Sequence, residues 1–306
     1  ISNNMVTFKN LVNNFFKIFD ARIIRYSKSI PLDLSKEDIH PRTLSYLIDQ
    51  KPILINLNFK DGRTNRFYSL DEKTFDPYFF SIKQSLNKTN DKEELFLHFL
   101  KIIKDYKKIV NIKSFSDYFG IKFLKDSEIN SYPVWAIVLP WENIDIKKKL
   151  VEFPKSVKAD RARNGFIINS NNPSIIMKED ELNSLESHIH QYISLIDSIN
   201  KKGYVPNLNK GFIEVELLLK NDKFCWKPSG EGNHRSVVVA SLGYKNIKAI
   251  LSKVVRYDEA KYWPNVVNGL YKQEEAELIF DRYLNADLPE SHNDWISYCN
   301  RLILGK

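Results

Sequence analysis

Apolar positions recur along this chain with two different periods, and the dominant period changes partway along. Between Val6 and Lys28, Phe8, Leu11, Phe15, Ile18 and Phe19 fall at helical spacing, with Lys9, Lys17, Arg22 and Arg25 among them. That spacing predicts an amphipathic helix. Such a helix packs on its own domain or, through residues 6–26, lies on a membrane surface. Asp91 to Val110 repeats the helical period through Leu95, Phe99, Ile102, Ile103, Tyr106 and Val110. Between the two, "PILINLNFKDGRTNRFYSL" places β-like runs on both sides of Asp61-Gly62, a dipeptide that suits a hairpin turn.

Beyond about residue 130 the pattern becomes mixed. Val134 to Leu139 reads as a buried strand stopped by Pro140. Asp180 to Lys202 reads as a helix with Ile189, Tyr192, Ile193, Ile196 and Ile199 inward and Gly203 as its stop. "GFIEVELLL" (211–219) is an expected strand, Asn221-Asp222 a turn, and "KFCWKP" a strand that pairs back. His234 to Leu242 is an expected helix closing at Gly243, followed by the strand "NIKAIL". The last segment is helical, with Trp263, Val267, Leu270, Ala276, Ile279 and Phe280 as its expected core. The tryptophans Trp135, Trp141, Trp226 and Trp263 are expected to be core as well. Three units follow from this pattern: an α-rich domain over 1–130, a second domain over 131–252, and a helical extension over 253–306.

Composition narrows the classes. Of 306 residues, 43% are hydrophobic and 27% charged, which is the balance of a globular chain and not of a disordered one. No apolar run reaches the length of a membrane span, and no continuous apolar core marks a signal peptide. Two cysteines, Cys225 and Cys299, exclude a cystine framework and a cysteine-rich metal site, so a cytoplasmic setting is expected. The net charge is +8, and residues 147–163 carry seven bases against two acids. A patch of that sign suits phosphate, nucleic acid or an anionic membrane, and equally a solvated lysine face.

The candidate chemistry sits in "GEGNHRS", residues 230–236, where a glycine-rich turn opens into a helix. A helix start directs unpaired N–H groups and the positive end of the dipole at one spot, and phosphate is the commonest occupant. Gly230 and Gly232 permit close approach, while Asn233, His234, Arg235 and Ser236 are the side chains nearest such a ligand. Arginine supplies a fixed fork of donors for phosphate oxygens. The alternative is a tight strand-to-helix turn with Arg235 in a local salt bridge. Glu231, inside the turn, and Asp197, on the preceding helix, are the acids in position to hold Mg²⁺ or move a proton. Glu186, Asp160, Arg161 and Arg163 are in reach of the same cleft. His188 and His190 lie two apart on a helix, so they point away from each other and do not share a metal.

Residues 180–252 resemble the ParB N-terminal/sulfiredoxin-like superfamily. The resemblance rests on Ser198-Ile199 before Gly203, the strand and hairpin, Glu231-Gly232-Asn233-His234-Arg235, and the closing Leu242-Gly243. It implies an α+β fold: a mixed sheet with helices in the C-terminal half, beside a mostly helical N-terminal domain with a β-hairpin. It also implies that the turn holds nucleotide phosphates, of ATP or CTP with Mg²⁺. Members include CTP-dependent DNA clamps, ATP-dependent sulfiredoxins and kinases of free serine. This chain departs from two of them. Asn233 stands where sulfiredoxins carry the catalytic cysteine, and His234 where the clamps have the first of two arginines. No helix-turn-helix pattern shows in residues 253–306. The function expected is therefore a nucleotide-dependent phosphotransferase or NTPase acting on a small-molecule or protein acceptor. Its alternatives are a nucleotide-switched DNA-binding regulator and a non-catalytic, membrane-associated accessory protein.

Overall fold

The computed structural model describes residues 31–48, 52–122, 127–163, 165–206, 212–229 and 232–305. The amphipathic segment 6–26, Gly230 and Glu231 lie outside the described residues. In chain order the strands are β1 (Leu32–Asp33), β2 (Ile53–Asn58), β3 (Ile213–Lys220), β4 (Lys223–Pro228) and β5 (Asn246–Arg256). The helices are α1 (Pro41–Leu47), α2 (Pro77–Lys88), α3 (Lys92–Ile109), α4 (Phe115–Phe119), α5 (Ile146–Arg163), α6 (Pro173–Lys202), α7 (Asn233–Ser241), α8 (Pro264–Val267), α9 (Gln273–Asn285) and α10 (Asn293–Ile303).

The strands form one mixed sheet in the order β1-β2-β5-β3-β4. The α+β class expected from the sequence is what the chain adopts. β3 and β4 make the expected hairpin, with Asn221 at φ 54° in its turn, and β5 returns parallel to β3 across α7. Ser252 falls at a register shift beside Val215, where its hydroxyl donates to Val215 O at 2.8 Å. β3 is buried along nearly its whole length because helices cover both faces of the sheet. Ile213, Val215, Leu217 and Trp226 join Ile55, Phe99, Ile189, Ile196 and Val238 in one core. Leu218, Cys225 and Val255 join Phe119, Trp141, Trp263, Ile279 and Phe280 in the other.

Several local expectations are corrected. β2 does not fold back across Asp61-Gly62; it pairs antiparallel with β5, Ile53 to Leu251 through Asn58 to Asn246. Gly62 has φ −79°, which any residue adopts. Its glycine is required by proximity, since a Cβ there would meet the Trp226 ring at 2.6 Å. The boundary expected near residue 130 is thus no boundary of the sheet, which takes β2 from the first segment. Val134–Leu139 is not a strand. Ala136, Val138 and Leu139 are buried, but side chains replace a ladder: Tyr271 donates to Val138 O at 2.6 Å and Asn265 to Leu139 O at 2.9 Å. In the C-terminal segment Trp263, Ala276, Ile279 and Phe280 are core as expected, whereas Val267 is 70% exposed. Trp141, Trp226 and Trp263 are buried, while Trp135 is half-buried against Phe153. Among the described residues no helix is long and apolar enough to cross a membrane.

Candidate functional site

The turn singled out in the sequence opens α7 as expected, and Gly232 is what allows it. Its φ of 117° lies in the left-handed region, and an added Cβ would sit 3.0 Å from Ile213 Cγ2 and 3.2 Å from Ile213 Cα. Only glycine lets α7 start this close to β3. Three longer helices of the fold have a side chain on their first amides, Asp76 for α2, Asp91 for α3 and Asn172 for α6, whereas α10, like α7, has none. Gly232 has none to offer, so the first turn of α7 carries no side-chain cap. Ser236, expected at the ligand, is 1% exposed and spends its hydroxyl on Asn233 O at 2.8 Å. It braces the turn.

Facing this helix start is a loop that the sequence reading did not single out. Asn65 Nδ2 donates to Asn233 Oδ1 at 3.2 Å, and Asn65 O in turn accepts from Tyr283 Oη at 2.8 Å and from Tyr118 Oη. Phe67, at φ 70°, buries its ring 4.4 Å from that of Tyr283. The loop is therefore anchored on both sides of Arg66. The Arg66 guanidinium lies 5.4 Å over the Tyr78 ring and makes no ion pair among the described residues. Desolvation works against its charge, but the surrounding Tyr106, Tyr78, Asp76 and Tyr118 hold its pKa above the ordinary arginine value. Asp76 itself is engaged by the amides of Tyr78 and Phe79, and burial, opposed by Arg66, raises its pKa.

From Arg66 a continuous wall of side chains leads to α5. Tyr78 stacks on Tyr192 with ring centres 5.0 Å apart, and Tyr192 lies 4.6 Å from His234. His234 lies 5.7 Å from His188, whose Nε2 is 3.2 Å from Arg161 Nη2. Arg161 Nε is 2.5 Å from Asp180 Oδ1. Burial, then Arg66, lowers the pKa of His234; burial, then His234 and Arg161, lowers that of His188 to about 4. Both imidazoles are thus neutral at pH 7. The positive charge of the site comes from Arg66, Arg161 and Arg235. Arg235 is half-buried on α7, with its Nη1 enclosed and without a hydrogen-bond partner among the described residues. It faces Tyr204, whose pKa burial pushes up to about 12 against the pull of Arg235.

The structure therefore sets Arg66, Arg161 and His188 along the His234 side of α7, while Arg235 lies beside Tyr204. It does not bring in Asp197. That carboxylate is held at 3.0 Å by both Lys92 and Lys201, whose hydrogen bonds lower its pKa, in a separate groove of about 910 Å³ with Phe96 and His190. His190 stacks on Phe96 at 4.4 Å, so the two histidines of His188-x-His190 do point to different sites. Cys225 is fully buried on β4, its thiol pushed up to about 12 by desolvation, and is inert. Among the described residues no group of three or more side chains could hold a metal ion. Arg66 left one signal in the sequence, an arginine inside the polar stretch "DGRTNR", but nothing local ties it to His234 across 168 positions. No protein-family model matches the chain, and no curated protein or solved structure matches it either.

Proposed function

We propose that this protein binds a nucleotide through its phosphates at the start of α7 and acts as a nucleotide-dependent phosphotransferase or NTPase. One observation carries the reading. Arg66, half-buried and without an ion pair among the described residues, stands beside an uncapped helix start that also presents His234 and Arg235. Asp76 and the surrounding tyrosines hold the Arg66 charge, and its guanidinium forms no ion pair among the described residues, so its donors remain for a ligand's oxygens. Phosphate oxygens suit the donor set: backbone amides, two guanidinium forks and a neutral imidazole.

The roles follow from the electrostatics. Arg66 and Arg235 offset the charge that gathers on the transferred phosphoryl group, while His234, uncharged, acts as a hydrogen-bond donor to it. Mg²⁺ would arrive with the nucleotide and offset part of the phosphate charge, and Glu231 is the acid within the turn. Tyr78 and Tyr192 border the phosphates as a flat apolar wall.

Calorimetry with ATP, CTP and GTP in Mg²⁺ tests the reading, on wild type, Arg235→Ala and Arg66→Ala. Binding of one nucleotide that both variants lose supports it. A folded protein that binds none of the three refutes it. Salt-dependent DNA binding that survives both substitutions would favour the regulator, carried by the exposed Lys147, Lys148 and Lys155 of α5.

A further inference from the structure

The wall of the site ends in a hydrogen bond whose chemistry allows one arrangement. Arg161 Nη2 lies 3.2 Å from His188 Nε2. A guanidinium has only donors and keeps its proton at any pH a protein survives. His188 Nε2 must therefore be the acceptor, and the single proton of that ring sits on Nδ1. Arg161 is fixed in turn by Asp180 at 2.5 Å, with the two side chains 12% and 16% exposed. The other groups facing His188 are His234 from α7 and Lys107 from α3, which pairs with Glu181. Asp180 alone among these favours an imidazolium, and Arg161 already occupies its carboxylate. No hydrogen bond of the described residues engages His188 Nδ1, and the ring it adjoins is that of His234, 5.7 Å away.

We propose that Asp180 and Arg161 form a positioning pair for His188, which fixes the His188 proton on Nδ1 and offers that N–H, not a lone pair, to a phosphate bound beside His234. Arg161 donates to both Asp180 Oδ1 and His188 Nε2, so the nitrogen of His188 left for a ligand is the protonated Nδ1. The ligand's identity rests on the phosphate reading above; the tautomer of His188 does not. In this arrangement the basic helix α5 acts on the site by placing one guanidinium behind a histidine.

The test is NMR of the full chain labelled with ¹⁵N-histidine, first without ligand. The positioning pair requires His188 protonated on Nδ1 and bare on Nε2 from about pH 8 down to about pH 5.5. In the paired variant Arg161→Leu/Asp180→Leu, which strands no carboxylate, His188 should become a tautomer mixture that titrates in the ordinary histidine range. The same variant should bind inorganic phosphate and ATP about tenfold more weakly, the loss of one charge-assisted contact. A wild-type His188 protonated on Nε2, or charged above pH ~6, overturns the proposal. So does a paired variant with an unchanged His188 pattern. An Nδ1–H pattern in a protein that binds neither phosphate nor ATP upholds the lock on His188 and refutes the nucleotide reading instead.

Discussion

Gly232→Ala is the most exacting probe of the site, because two separate penalties can be read from the structure and one can be subtracted. The first is conformational. A residue with a Cβ at φ 117° is strained by about 1–3 kcal/mol. The second is steric: the new Cβ would lie 3.2 Å from Ile213 Cα, and Ile213 is paired with Ala249 inside the sheet, so that backbone cannot retreat. Gly243→Ala separates the two. Gly243 also has a positive φ, 87°, but nothing lies within 4 Å of its would-be Cβ. Gly232→Ala should therefore be destabilised beyond Gly243→Ala by about 1–2 kcal/mol, a further fall of several degrees in Tm for a chain of this size. Differential scanning calorimetry of the three proteins measures this, and phosphate titration of the same samples reads the site. Affinity should drop in Gly232→Ala, because the start of α7 is pushed off β3, and hold in Gly243→Ala. Equal stability of the two variants would refute the close approach of α7 to β3, and with it the geometry of the anion site.

Other expectations follow from single features of the structure. Arg66→Met should abolish phosphate binding in a protein that still folds, with Tm lowered because the cation beside buried Asp76 is lost; an unchanged phosphate affinity in the folded variant would remove Arg66 from the site. Lys227 and Glu216 pair at 2.5 Å with about 5% exposure each, so Lys227→Met alone should lose about 3–5 kcal/mol and Lys227→Met/Glu216→Leu should recover most of it, as judged by urea unfolding. His188 and His292 are held neutral chiefly by burial, each with a pKa near 4, so the unfolded chain binds more protons below the ordinary histidine value. Stability should accordingly fall as pH drops from about 6.5 toward 4, and His292→Phe should flatten that slope in a pH series of melting curves.

Much of the C-terminal half was legible in the sequence, because its signals are local. The apolar spacing in α6 and the positive-φ glycine at its end, the Asn221 turn between β3 and β4, and the glycine-led start of α7 each act within a few residues. Hydrophobic pattern says which face of an element is buried. It does not say what buries it. β2 had the period of a strand, but only the assembled sheet gave it β5 as partner in place of a neighbour across Asp61-Gly62. Val134–Leu139 had the composition of a strand, yet the side chains of Tyr271 and Asn265 took its carbonyls first. The site divides the same way. Glycine, histidine and arginine at a helix start were visible as residues. That Arg66 would stand beside His234, that Arg161 would hold His188, and that Asp197 would be drawn off by Lys92 and Lys201 depended on contacts between distant segments. A charge acquires its chemistry from desolvation and from the charges brought within a few ångströms of it. Both are properties of the packed chain, and neither is written in the spacing of its residues.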